Sequence, residues 1–328
     1  MNNPATAVKS FFTGSSTKKP PHLDFIVSYW RAHQPLKLHK PRVFPDTVLT
    51  NIAQGLGDTL MLTDLPRAAF KQERVWTSFS NSQHFRPLIS YNPEWKEPAL
   101  TDHVNLINAP CLIRYRDCGN GHYLQRIRRA FGLEVESVPK PYIGWTGLRK
   151  QNRVILHFDP GGHVQWQRQH VHPRARSLYA ETKTELEKFI SVNKHLEFII
   201  VGSTAASFAI RGARFAMTSS IQELVNTIGS GGWFIGIMSG PLHLAVALGL
   251  RCISIVNFPE PQKILLPTLR QSDQIESEWF YPQNVHLHQE GSTDLVPKAS
   301  LSSFQRAFNG EVFPYWKTDH CDLIHEKL

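Results

Sequence analysis

Apolar residues along this chain fall into two spacings, and each predicts a kind of element. Short apolar runs at 47–53, 74–79, 103–108, 153–158, 196–201, 234–238 and 251–256 have the length of strands. Between several of them the apolar positions recur at helical spacing. Leu60, Leu62, Leu65 and Ala69 line up over 59–70, and Leu178, Leu186, Phe189 and Ile190 over 177–191. Residues 123–131 form a basic amphipathic helix closed by Gly132. Ser219 or Ser220 caps a helix over 221–228 with Glu223 in its first turn, and 301–308 is a last short helix. Pro66 predicts a kink, or a short helix followed by a second start. Past Pro259 the chain reads as irregular up to that last helix.

Strands alternating with helices predict an α/β fold with a mostly parallel sheet. Two such sets are present, separated by the Pro-rich stretch Val138-Pro-Lys-Pro-Tyr-Ile-Gly144. The expected organisation is two Rossmann-like domains, 46–148 and 149–300, facing across a cleft. Residues 1–45 form a tail and lead-in, and 301–328 a C-terminal helix and tail. Residues 23–30 are too short to span a bilayer and read as an amphipathic surface segment or a lead-in.

The stretch 234–249 carries the most chemistry. A strand runs into Ser239-Gly240, and a helix opens on Pro241, which suits a first helical position because its absent N–H would be unpaired there. The amides of Leu242 and His243, with the positive end of the helix dipole, would then face whatever sits above Ser239 and Gly240. A phosphate or diphosphate suits that place; an ordinary α/β turn is the plain alternative. Gln54-Gly-Leu-Gly-Asp58 reads as a second tight loop. Ligands of such sheets bind at the carboxyl ends of the strands, so the two loops would face each other.

Composition narrows the partners. A net charge of +9 over 328 residues favours an acidic one. Nucleic acid is not indicated, since charge alone speaks for it and no helix-turn-helix, zinc-finger or RNA-binding aromatic motif is present. No run of eighteen apolar residues predicts a transmembrane helix, and residues 1–20 lack an apolar signal core. The cysteines (Cys111, Cys118, Cys252, Cys321) lack zinc or disulfide spacing, as expected of a reducing compartment. His157, His163, His170 and His172 lie close in sequence without a metal pattern.

Gly57-Asp-Thr-Leu-Met-Leu-Thr-Asp-Leu-Pro66 resembles the N-terminal Gly-Asp…Thr-x-Pro signature of glycosyltransferase family 9, the heptosyltransferases. Residues 234–249 are similar to that family's strand-Ser/Thr-Gly-x-x-His-Leu-x-Ala-Ala-Leu signature, and a Gly-rich loop with Trp166 follows the middle strand. The resemblance covers about 47–258 and implies a GT-B architecture, with the acceptor on the N-terminal domain and a nucleotide sugar on the C-terminal one. It implies an inverting, metal-independent transferase with no cofactor beyond its donor. An anionic glycan or glycolipid, lipopolysaccharide core or another surface polysaccharide, would be the acceptor. The location would be cytoplasmic, with peripheral contact at the inner membrane.

The resemblance assigns Asp58 as the general base, although its position also permits an N-cap. Ser239, Gly240, Pro241, Leu242 and His243 would hold the donor diphosphate, with His243 donating to phosphate or packing under the turn. Gly55, Gly57, His157, His163, Gln165, Arg168 and Gly202 are candidate donor or substrate contacts. Three positions depart from the family. Met238 stands where it has Asp, and no lysine lies between His157 and Trp166, leaving His163, Gln165 or Arg168 to stand in for that cation. The Glu expected after the next strand is absent from Val201-Gly-Ser-Thr-Ala-Ala206. A catalytically silent nucleotide- or glycan-binding scaffold is the other reading: Met238 and the absent lysine support it, and Asp58 opposes it. Arg126, Arg128, Arg129 and the basic segment 37–42 would meet acceptor phosphates or a membrane surface, or form solvated faces.

Overall fold

The computed structural model describes residues 47–51, 55–72, 76–80, 83–94, 105–108, 122–130, 132–159, 178–202, 209–256, 281, 283–289 and 297–311. They build two parallel sheets. The first holds β1 (Thr47–Asn51), β2 (Trp76–Ser80) and β3 (Asn105–Asn108) in the order β2-β1-β3, with Val48 opposite both Thr77 and Leu106. Helix α1 (Leu56–Phe70) lies between β1 and β2, and a 3-10 helix (Gln83–Tyr91) follows β2. Pro66 does not divide α1: one helix runs through it. Helix α2 (Tyr123–Ala130) ends at Gly132, whose φ of 63° permits the Leu133 N–H to reach the Arg128 carbonyl at 2.8 Å.

The second sheet holds six strands: β4 (Lys150–His157), β5 (Glu197–Gly202), β6 (Arg214–Met217), β7 (Gly231–Ile237), β8 (Arg251–Val256) and β9 (Val285–His288). All pair in parallel in the order β6-β5-β4-β7-β8-β9. Helices α3 (Ala180–Val192), α4 (Ile221–Gly229), α5 (Gly240–Ala247) and α6 (Leu301–Phe308) accompany them. At α4 the cap is Ser220, whose hydroxyl accepts from the Glu223 N–H while the Glu223 carboxylate reaches back. Strands β6 and β9 carry no apolar run, and β9 corrects the expected irregularity after Pro259. Its Val-His-Leu-His sequence between polar flanks gives no strand signal, and pairing with β8 supplies the structure. Residues 257–280 lie outside the described ones.

Both faces of the second sheet are covered, which is why its central strands read as unbroken apolar runs. Side chains alternate between two cores. Val154, Leu156, Trp233, Ile235 and Ile237 join α3 and α6 on one face. Ile155 and Phe234 face the other, where α4 and α5 meet α1. This second core spans both sheets' halves: Leu60, Met61 and Leu65 of α1 share it with Leu242, Ala245 and Tyr281.

Residues 133–149 strap the halves together. The Tyr142 N–H donates to Thr63 Oγ1 at 3.0 Å, and the Trp145 indole to Asn226 Oδ1 at 3.1 Å. Arg149 donates to the Leu248 carbonyl at 2.6 Å, Gly249 at 3.2 Å and Gly229 at 3.4 Å. Its cation thereby caps the negative ends of α4 and α5. Arg128 corrects an expectation. It neither meets an acceptor nor lies on a solvated face, because it is buried and grips Asp64 of α1 with Nε to Oδ2 at 2.8 Å and Nη2 to Oδ1 at 2.7 Å. Its Nη1 donates to the Glu134 carbonyl at 3.0 Å. The side chain of Arg126 and segment 37–42 lie outside the described parts.

Candidate active site

In the second sheet the chain order reverses between β4 and β7, the switch point at which ligands of such sheets bind, at the strands' carboxyl ends. Strand β7 ends at Ile237, and Ser239, extended at φ −162°, is the N-cap of α5. Gly240 is therefore the first helical residue and Pro241 the second, one place later than expected. Proline is tolerated at either, since no residue of the first turn has an obligatory helical partner for its N–H.

The expected amide donors differ as well. Leu242 N–H donates to the Ser239 carbonyl at 3.0 Å in a tight first turn, and His243 N–H makes the first helical bond to the same oxygen at 3.3 Å. Among the described residues, the Gly240 N–H is the turn's open amide. Ser239 does not cap α5 with its side chain. Its buried hydroxyl lies 3.2 Å from His157 Nδ1 at the end of β4 and 3.2 Å from the Ile237 carbonyl. One hydroxyl proton satisfies both contacts if Nδ1–H donates to Oγ and Oγ–H donates to Ile237, which leaves Nε2 as an acceptor.

Opposite this turn begins α1. Gly55, not Asp58, is its N-cap, and Leu56, Gly57 and Asp58 form its first turn rather than a loop. Thr59 closes that turn, its N–H and hydroxyl both reaching the Gly55 carbonyl, at 3.0 and 2.9 Å. The two helix starts touch. A Cβ on Gly57 would stand 2.8 Å from His243 Cδ2, and one on Gly240 would stand 2.8 Å from Leu56 Cβ. Only glycine permits this approach. The positive ends of two helix dipoles are thus brought to one place, as anion sites require.

His243 is buried, with its Nδ1 2.7 Å from the Tyr281 hydroxyl. Tyr281 is fully buried, stacks near His122 at 4.5 Å between ring centroids, and points its hydroxyl 4.0 Å from Met61 Sδ. Burial holds its phenol well above its usual pKa, so it stays protonated. No local pattern announces Tyr281; tertiary packing brings it to the site. Gly202, at the same end of β5, accepts from the Thr218 N–H at 3.0 Å. His163, Gln165, Trp166, Arg168, His170 and His172 lie outside the described residues, as does the side chain of Asp58. Among the described residues, no group of three or more His, Cys, Asp or Glu is placed to hold a metal ion, and no helix is long and apolar enough to cross a membrane.

Burial lowers the His157 pKa to about 4, with Asp159 opposing, and it lowers those of His286 and His288 to about 3 and about 4. Unfolded, each takes up its proton near pH 6.5. Between pH 6.5 and about 4 the unfolded chain therefore binds protons that the folded one refuses, so stability is full above that window and falls as pH falls through it. Urea unfolding at pH 5 should show an uptake approaching three protons from these groups. An uptake below one would remove the buried neutral imidazoles from the account.

No family model matches the chain, and neither does the sequence of any curated protein. Solved structures do match. The E. coli heptosyltransferase WaaC with ADP is 9% identical, with 81% of this chain and 98% of that chain covered and a TM-score of 0.51. The glycosyl transferase family 9 protein from Veillonella parvula DSM 2008 is 11% identical, covering 83% and 91%, at a TM-score of 0.50. The iron-containing dodecameric glycosyltransferase TibC from enterotoxigenic E. coli H10407 is 15% identical at a TM-score of 0.45, and this chain spans 62% of its length. The likeness to WaaC and to the Veillonella protein is one of fold: this chain has their GT-B-like α/β architecture.

Proposed function

We propose that the chain is an inverting, metal-independent glycosyltransferase that moves a sugar from a nucleoside diphosphate to an anionic glycan acceptor. Lipopolysaccharide core or another surface polysaccharide is the acceptor class, and peripheral contact with the inner membrane is where it would be met. The carrying observation is the meeting of the α1 and α5 N-termini, through Gly57 and Gly240, beside the β4–β7 switch point of the second sheet. In this reading an acceptor hydroxyl attacks the anomeric carbon and passes its proton to the Asp58 carboxylate. The bond from that carbon to the diphosphate oxygen breaks, and the leaving charge is met at the Ser239–His243 turn, foremost by the Gly240 N–H. His163 or Arg168 would stand in for the donor-side cation, or Gln165 as a neutral hydrogen-bond donor. Asp58 is the third residue of α1, within one turn of Gly57, which supports this role by backbone position.

Met238 favours a second reading, a silent nucleotide-binding scaffold. It packs half-buried on the shared core where the family has a carboxylate. Thermal shift against ADP, UDP, GDP and CMP, with their sugar conjugates, tests the nucleotide site common to both. One nucleotide at a hundred times its Kd should stabilise the fold by about 2.7 kcal/mol. Gly240→Asp should abolish that shift, and Gly240→Ala, which meets Leu56 just as closely but adds no charge, is the control. No shift with any nucleotide would overturn the assignment.

A further inference from the structure

Away from the helix starts, a cavity of about 300 Å³ lies between α1, α2 and the strap at 136–142. Asp64, Arg67, Lys71, Arg128, Glu136 and Lys140 line it, with Tyr142 at one wall. Asp64, Arg67 and Lys71 fall on one stripe of α1, at intervals of three and four residues. By helix rise they lie about 10 to 20 Å along α1 from Gly57, so the cavity is separate from the Ser239–His243 turn.

Its charges do not cancel. Four cations meet two carboxylates, and both carboxylates are committed. Asp64 accepts from Arg128 with both oxygens, and Glu136 is shared by Lys71 at 3.6 Å and Arg128 at 3.4 Å. Arg67 lies over the Tyr142 ring at 3.8 Å. A cation–π contact needs none of the guanidinium's N–H groups as hydrogen-bond donors to an acid, while the ring restrains where the cation sits. Among the described residues neither Arg67 nor Lys140 forms an ion pair, although Arg67 is near enough to Asp64 to favour its ionised form.

We propose that this cavity is a second anion site, built to take the phosphomonoester group of a sugar-sized molecule. An excess of two positive charges matches the charge of about −1.5 to −2 on a phosphomonoester at neutral pH. A volume of about 300 Å³ is at the small end of ligand pockets and exceeds what a bare ion needs. The inference does not depend on the transferase reading, because none of its residues belongs to the turn or to Asp58.

Isothermal titration of the full chain with sodium phosphate and with glucose 6-phosphate, against sodium chloride at equal ionic strength, tests it. Saturable binding is expected, weakened at least tenfold in Lys140→Gln and in Arg67→Gln, partly restored in Arg67→Lys, and within twofold of the parent in Gly240→Asp. Tighter binding of glucose 6-phosphate supports a phosphorylated saccharide, and equal binding supports recognition of the phosphate group itself. Lys140 is exposed, so its variant carries the test if another fails to fold. Absence of saturable binding beyond chloride, or binding unchanged in Lys140→Gln and Arg67→Gln, or binding lost in Gly240→Asp alone, would overturn the site.

Discussion

Replacing Asp58 with Asn is expected to cut glycosyl transfer by about 10²- to 10⁴-fold, the usual contribution of a positioned general base, while nucleotide affinity barely moves. Asn keeps the shape of the side chain and removes its ability to take a proton. Stability should change little, because the N-cap of α1 is Gly55, and Asp58 at the third position contributes at most a favourable dipole interaction, about 0.3–1 kcal/mol. The measurement is kcat and nucleotide Kd side by side, once thermal shift has named the nucleotide. A kcat within threefold of the parent would remove Asp58 from the chemistry. Nucleotide binding without turnover in the parent chain would select the scaffold.

Arg128→Met is expected to cost about 3–5 kcal/mol, enough to unfold many domains, because it leaves the Asp64 carboxylate buried without its cation. It also strips the Glu134 carbonyl of its donor. Burial already pushes the Asp64 carboxyl up against the pull of Arg128, and removing the guanidinium sends it higher. A raised folded pKa gives stability that is whole below the unfolded value and lost as pH rises, so the variant's deficit should be larger at pH 7 than at pH 4.5. Changing both residues, Asp64→Leu with Arg128→Met, should recover much of the loss, since no carboxylate is then left buried without its cation. Urea midpoints at the two pH values decide it. A single variant within 1 kcal/mol of the parent would show that the pair does not hold α1 to α2.

Helix α4 with its Ser220–Glu223 capping box, strand β8 over 251–256 and helix α6 over 301–308 lie where the residue pattern places them. Their signals are local: a cap, a period or an apolar run decides each. Strands β6 and β9 were not legible because four residues of mixed polarity become a strand only when a neighbour offers its edge. At the site, the Ser-Gly-Pro turn was visible in sequence, but its hydrogen bonds were not. A tight first turn consumed the Leu242 and His243 amides on the Ser239 carbonyl. Likewise Arg128 looked like surface charge because helical spacing says which residues share a face and not what covers that face.

By itself, then, the sequence determined the alternating α/β order, its two sets of strands, and a serine cap at 219 or 220 for α4. These are properties of neighbouring residues, set by steric and hydrogen-bonding rules within a few positions. Only the tertiary structure decided that Gly57 meets His243, that Tyr281 holds His243 at 2.7 Å, that His157 holds Ser239, and that Arg128 is buried on Asp64. Each joins residues from 38 to 186 positions apart. Such pairs form when two elements bury a common apolar face, and what they bring together depends on the packing of the whole core rather than on any local pattern.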